Sequence, residues 1–378
     1  MGKKILHVVN ISFVIPFYLG DQIDFFKSKG HSISIACTPS LDFFEYAKQK
    51  AFTPVPIDVV RSFSVIKDLK AIFSLTMYLK KNPVDTVVGH TPKGAFIALI
   101  SASLANISNR VYFRHGLLFE TSSGVKRRFL KFIEKFTAYL ATKVICVSPS
   151  ILKISLDQKL SSASKTLIIN KGTCNGIDAV YKFNPQNVLS NHNLSADLEA
   201  KLESGVRIIG YVGRIVKDKG IVELLEAWKI LTKENEKIHL LILGPQEERD
   251  ALPEEYISFS RSCNSISMPG LIKDIEVHYS IMDIFILPSY REGFPTVVLE
   301  ASAMELPIIC SSKTGCIDSI IESQTGLFTS ITPQDIARNI QYLLDHPKEG
   351  KEMGKKGRLN VLKNFQQNLI WESLEKKY

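Results

Sequence analysis

At 378 residues, 45% apolar and 22% charged, the sequence is longer than one ordinary domain and has the composition of a folded globular chain, which excludes disorder. Its net charge of +9 is unevenly shared: residues 1–180 carry 24 Lys and Arg against 11 Asp and Glu, while the remainder carries 23 against 27. The basic half therefore calls for an anionic partner, with lipid head groups, pyrophosphate and nucleic acid as the classes to separate.

Lys3 and Lys4 precede an apolar stretch that imitates a signal peptide, but His7, Asn10 and Pro16 interrupt it and no small-residue cleavage site follows. It reads instead as a first β-strand over 4–9, followed by a helix ending near Gly30 and a strand over 32–37. Strands are predicted next at 86–88, 110–113 and 143–147. The longest apolar run, 95–104, is far short of the ~20 residues needed to span a bilayer. Around 181–204 the alternation gives way to Asn, Ser, Pro and Asp, a linker composition, before strands resume at 206–212, 238–243, 284–287 and 307–310. Helices alternating with short β-branched strands specify parallel sheets covered on both faces. The expected architecture is α/β: two Rossmann-like, doubly wound domains at 1–180 and 206–360, a linker at 181–205, and a terminal helix, 361–378, crossing back to the first. The six cysteines form no Cys-x-x-Cys pair and most sit in apolar runs, so they read as buried, reduced thiols.

Ligands of open α/β sheets bind beyond the carboxyl ends of the strands, so the loops leaving those strands matter most. Residues 213–220, Gly-Arg-Ile-Val-Lys-Asp-Lys-Gly, follow one strand and open a helix at Ile221. Arg214, Lys217 and Lys219 thus stand over a helix N-terminus, where backbone N–H groups and the dipole already favour an anion such as a diphosphate. Residues 288–295, Pro-Ser-Tyr-Arg-Glu-Gly-Phe-Pro, follow the strand at 284–287. Pro295 suits a first helical turn, Gly293 allows a ligand close to the backbone, and the amides of Gly293, Phe294 and Pro295's neighbours form a turn able to take a phosphate oxygen. Glu292 lies in this loop and Glu300 two turns into the next helix; carboxylates at such places accept hydrogen bonds from the hydroxyls of a ribose or sugar ring.

Each loop alone is a weak signal, but together and in this order they resemble the retaining glycosyltransferases of family four. That resemblance implies the GT-B fold, with two Rossmann-like domains facing a cleft. It implies that Arg214 and Lys219 bind the donor diphosphate, that Glu292 contacts the donor sugar and that Glu300 holds the ribose. Transfer with net retention and without a metal ion is implied too, and no Asp-x-Asp pair closes a predicted strand. The nucleotide sugar, by family habit a uridine diphosphate sugar, is a co-substrate, so no cofactor is expected.

The first domain is similar to a bacterial subgroup that extends capsule or O-antigen units on undecaprenyl pyrophosphate, through 114–124 with Lys126 to Arg128, 144–149 and 175–178. In that subgroup a histidine at His115 lies against the donor sugar; His90, also after a strand, is a second candidate. Arg114 and Gly116 beside His115 argue against burial there. Many relatives carry a Gly-Gly pair in the first strand-to-helix loop, whereas residues 10–19 hold no glycine. Residues 125–143 hold six basic side chains and one acid, Glu134, with Phe129, Phe132, Ile133, Phe136 and Leu140 at helical spacing. The apolar stripe is expected in the core and the charges on an anionic membrane surface, placing the enzyme at the inner face of the cell membrane. A Gly-x-Gly-x-x-Gly fingerprint follows no predicted strand, against a nicotinamide enzyme, and no aromatic-basic interleaving or zinc pattern supports nucleic acid. A non-hydrolysing sugar-nucleotide epimerase of the same fold is the alternative, separable by turnover of donor without acceptor.

Overall fold

The computed structural model describes residues 2–60, 64–188, 194–233, 235–247 and 250–378. The chain divides into two compact units, one of Met1–Gly176 with Gln367–Tyr378 and one of Ile177–Gln366. Residues 181–205, expected as a linker, belong to the second unit and contain the helix Ala196–Glu203; positions 189–193 lie outside the described residues.

In the first unit the strands are β1 (Lys4–Val8), β2 (Ser32–Cys37), β3 (Thr53–Pro56), β4 (Thr86–His90), β5 (Asn109–Arg114), β6 (Lys143–Cys146) and β7 (Thr166–Ile168). They form one parallel sheet in the order β3-β2-β1-β4-β5-β6-β7. The second unit contributes β8 (Arg207–Val212), β9 (Ile238–Leu243), β10 (Ile266–Gly270), β11 (Ile284–Leu287), β12 (Ile308–Ser311) and β13 (Gly326–Thr329), parallel in the order β10-β9-β8-β11-β12-β13. Central strands such as β4 and β9 are buried along their whole length, as a parallel sheet covered by helices on both faces requires. Strand order reverses between β1 and β4 in the first unit and between β8 and β11 in the second, and such reversals open a crevice at the carboxyl ends.

The last helix, Gln367–Glu375, packs on the helix Gln22–Ser28 of the first unit. Trp371 donates from its indole N–H to Asn175 Oδ1 at 2.8 Å, and Glu375 pairs with His31 at 3.0 Å.

Arg114 and the single acid of the basic helix Gly124–Leu140 depart from expectation. Side chains alternate along β5, so Tyr112 and Arg114 point to the face opposite Phe113. There Arg114 is fully buried, donating to Glu134 at 3.1 Å and to Ser155 at 2.7 Å, while Tyr112 donates to Glu134 at 2.8 Å. Burial pushes the Glu134 carboxyl up from its ordinary range, and the Arg114 guanidinium pulls against it. Nor is the apolar stripe of that helix all core: Ile133, Thr137 and Ala138 are buried, but Phe129 and Phe132 are exposed.

Removing one partner of a buried ion pair strands the other. Arg114→Met is expected to destabilise by about 3 kcal/mol and Arg114→Met/Glu134→Leu by distinctly less. Denaturant unfolding of both variants checks this; equal losses would show that the pair acts only through packing.

Candidate functional site

In the second unit the two loops singled out by sequence leave β8 and β11, the neighbouring strands at the reversal of strand order. Residues 213–216 lead into a short 3-10 turn, Lys217–Lys219, and then the helix Ile221–Leu231. Gly220 joins turn and helix with φ of +72°, and a Cβ there would meet the Pro288 carbonyl oxygen at 2.1 Å. Only glycine lets the loops approach this closely.

Across the contact the loops are stitched together. Tyr290 donates its backbone N–H to Asp218 O at 3.0 Å, and Arg291 lies 3.6 Å from the Asp218 carboxylate. Next to them Lys219 Nζ donates to Glu292 Oε1 at 2.6 Å, a pair formed across 73 positions of sequence with both side chains largely enclosed. The backbone of Glu292 is itself fixed, its N–H donating to Thr314 O at 3.1 Å. Gly315, at φ of +79°, lies so close behind that a Cβ would sit 2.6 Å from the carbonyl oxygens of Glu292 and Gly293.

Lys219 and Glu292 are thus brought together, and the other predicted residues are placed around them separately. Arg214 pairs with Glu247 at 3.0 Å, and its carbonyl accepts from the buried Tyr211 hydroxyl at 3.0 Å. Lys217 is exposed. Phe294 turns its ring inward, 5.4 Å from that of Phe365, so it offers a ligand its backbone alone. Pro295 stands one residue before the helix Thr296–Ala303 rather than within its first turn. Glu300 accepts from the Tyr279 hydroxyl at 3.0 Å, and burial pushes its carboxyl up from the ordinary range against that hydrogen bond. Glu247 and Tyr279 are not legible as site residues, since no motif marks them and only the fold brings them in; Arg291 lies within the second motif, but nothing in the sequence shows that it turns to Asp218.

In the first unit His115 directly follows β5, half-buried, and His90 ends β4, fully buried. Their rings are hydrogen-bonded, His90 Nδ1 to His115 Nε2 at 2.9 Å, and His90 Nε2 lies 2.9 Å from Nδ1 of His7 on β1. Burial holds His7 and His115 down at about 3 and His90 well below the ordinary range, so all three are neutral at physiological pH. The glycine-free first loop forms the turns Ser12–Val14 and Ile15–Tyr18, and the Tyr18 ring stacks on His115 with centroids 3.9 Å apart. Among the described residues no group of three or more His, Cys, Asp and Glu is disposed to hold a metal ion.

Two Rossmann-like units, each with polar side chains at the reversal of its sheet, define the GT-B class of glycosyltransferases. A solved glycosyltransferase from Rickettsia africae superposes with a TM-score of 0.78 over 100% of this chain and 98% of that one, at 22% identity. The family model for group 1 glycosyl transferases matches residues 197–360, and that for glycosyl transferase 4-like domains matches residues 4–148. The capsular polysaccharide biosynthesis glycosyltransferase CapM of Staphylococcus aureus is 31% identical over 379 aligned residues, 100% of this chain and 97% of the relative. The chain belongs to the family-four glycosyltransferases. A further relative, at 27% identity over 78% of this chain and 75% of its own length, is the UDP-Gal:alpha-D-GlcNAc-diphosphoundecaprenol alpha-1,3-galactosyltransferase of Escherichia coli.

Gly220→Ala forces both a left-handed backbone on alanine and a clash with the Pro288 carbonyl. It is expected to cost well over 1 kcal/mol and to lower transferase activity by parting Lys219 from Glu292. Thermal unfolding and a transfer assay check this; wild-type values in both would show that the loops do not depend on their close approach.

Proposed function

We propose that this glycosyltransferase moves a sugar from a uridine diphosphate sugar, with retention and without a metal ion, onto a saccharide carried by a polyprenyl pyrophosphate in bacterial surface polysaccharide synthesis. The observation that carries the reading is the Lys219–Glu292 pair, fixed beside free turn amides at the strand-order reversal of the second sheet. Among the described residues the backbone N–H groups of Gly293 and Phe294 have no hydrogen-bond partner, which leaves them for a ligand. In this reading Lys219, with Arg214 released from Glu247, meets the donor diphosphate and takes up the charge that develops on the leaving group, the task a divalent metal performs elsewhere. Glu292 receives the hydroxyls of the donor sugar and Glu300 holds the ribose, while His115, in the first unit, is taken as a substrate-contacting group. The names of the Staphylococcus aureus and Escherichia coli relatives supply the polysaccharide setting and the lipid-diphosphate acceptor.

The acceptor is reached at an anionic membrane surface. No described helix is long and apolar enough to cross a membrane. The helices Val65–Lys81 and Gly124–Leu140 both pack against Pro92–Leu104 in the first unit. Each contains a single acid, and each turns it inward: Asp68 is buried against Lys93 and Glu134 against Arg114. The outer faces are left with cations, Lys67, Lys70, Lys126, Arg128 and Lys135, and with exposed apolar side chains, Ile66 at 70%, Phe73 at 68% and Phe132 at 61%. Cations drawn to anionic head groups at about 1 kcal/mol each, beside apolar groups that enter the interface, give reversible docking.

Glu292→Gln and Lys219→Ala are each expected to lower turnover at least ~100-fold, from loss of about 3 kcal/mol of transition-state stabilisation, while wild-type activity persists in a strong chelator. Near-normal rates in both variants, or chelator inhibition reversed by Mg²⁺, would overturn this site assignment. For the membrane, replacing Lys126, Arg127, Arg128 and Lys131 with neutral residues should weaken binding to anionic vesicles and slow transfer to the lipid-linked acceptor. Transfer to a short-chain, water-soluble analogue should change little. Equal losses on both acceptors would show that these side chains serve the fold instead.

A further inference from the structure

His7, His90 and His115 come from three separate strands, and the parallel register accounts for their meeting. His7 is level with Val88, and His90 stands two residues beyond Val88 on the same face of β4. His90 is in turn level with Phe113, and His115 stands two residues beyond Phe113. Each step therefore moves one strand across the sheet and two residues toward its carboxyl end, from the buried His7 to the half-buried His115. Successive ring centroids are 5.2 Å apart, and Phe113 and Tyr18 stack on His115 at 5.1 and 3.9 Å.

A neutral imidazole has one N–H and one lone pair. With His7 Nδ1 on His90 Nε2 and His90 Nδ1 on His115 Nε2, each contact needs one donor and one acceptor, so the middle ring must donate at one side and accept at the other. Only two arrangements satisfy both bonds: all three rings carry the proton on Nδ1, or all three carry it on Nε2. They differ at the far ends. Protons on Nε2 would bury the His7 Nε2–H, which has no acceptor among the described residues, whereas protons on Nδ1 leave there only an unused lone pair. A buried N–H without an acceptor is the rarer and costlier of the two.

We propose that His7 and His90 are positioning residues that lock the proton of His115 onto Nδ1, so that His115 meets the substrate as a hydrogen-bond donor to a sugar hydroxyl oxygen. This rests on the reading of His115 as a substrate-contacting group. His7 itself acts at two removes, through His90. The Nδ1–H of His7 donates to His90, the Nδ1–H of His90 donates to His115, and no proton moves along the chain in turnover. The rings fix an orientation, much as a second group fixes the tautomer of a metal-bound or catalytic histidine.

The test uses the full-length chain labelled with heavy nitrogen at histidine alone. Two-bond proton–nitrogen correlation spectra at neutral pH are compared for the wild type, His7→Phe and His7→Asn, alongside transfer rates. The wild type should show His7, His90 and His115 all protonated on Nδ1. His7→Phe should give His90 and His115 mixed tautomers and lower kcat about tenfold, the scale of one lost hydrogen bond. His7→Asn, whose amide N–H can stand in for Nδ1–H, should recover most of both. Unequal tautomers in the wild type, or a proton on Nε2 of His115, overturn the proposal. So does a His7→Phe variant that loses rate while His115 stays protonated on Nδ1, because the loss would then be one of packing. His115→Ala separates the underlying reading: undiminished transfer would refute substrate contact by His115, whatever the tautomers show.

Discussion

The candidate site of the second unit depends on one close approach, the backbone of Gly220 against the carbonyl of Pro288. With any side chain at that point the loops after β8 and β11 would stand apart, and Lys219 could not reach Glu292. The approach is possible only because β8 and β11 are neighbours in the sheet while their onward connections run in opposite directions. A topological reversal, a glycine and an ion pair are thus successive levels of one arrangement, and the ion pair has chemical meaning only because the other two hold it at a strand end.

Which elements were legible follows from their place in the sheets. The central strands announced themselves as short apolar runs, because a parallel strand covered on both faces has no polar side to show. The strands that went unread, β3, β7, β10 and β13, are the four sheet edges. They are brief or carry prolines, Pro54 and Pro56 in β3 and Pro269 in β10, which an edge tolerates because one row of its N–H groups needs no partner. The loop motifs single out Lys219, Glu292 and Glu300 as candidates, but spacing along a chain cannot reveal that Lys219 reaches across to Glu292 while Arg214 turns to Glu247. His7 was beyond reach for the same reason: a histidine inside an apolar strand looks like a packed core residue until the register sets it beside His90.

The two units handle buried charge differently. In the first, Asp68 and Glu134 are drawn under their helices to meet Lys93 and Arg114, so each ion pair also strips the outer surface of negative charge. An arginine beside His115 suggests an exposed position, but alternation along β5 turns Arg114 into the core and His115 to the opposite face. In the second unit the comparable pair, Lys219 with Glu292, joins the two loops beyond the carboxyl ends of their strands instead of lying under a helix.

The segment Gln367–Tyr378 belongs to the first unit although the whole of the second precedes it in the chain. Its helix covers Gln22–Ser28, the carbonyl of Tyr378 accepts from Thr86 at 3.0 Å, and Trp371 and Tyr378 are buried there. As the chain leaves the ribosome, the first sheet can therefore assemble early but must wait, with the surface meant for Trp371 and Tyr378 open to water, until 190 further residues have been made. The second unit is a contiguous insertion with no such debt to later sequence. Completion of the earlier unit is thereby tied to synthesis of the later one, so a nascent chain interrupted anywhere before Gln367 holds no finished first unit, whatever state its second has reached.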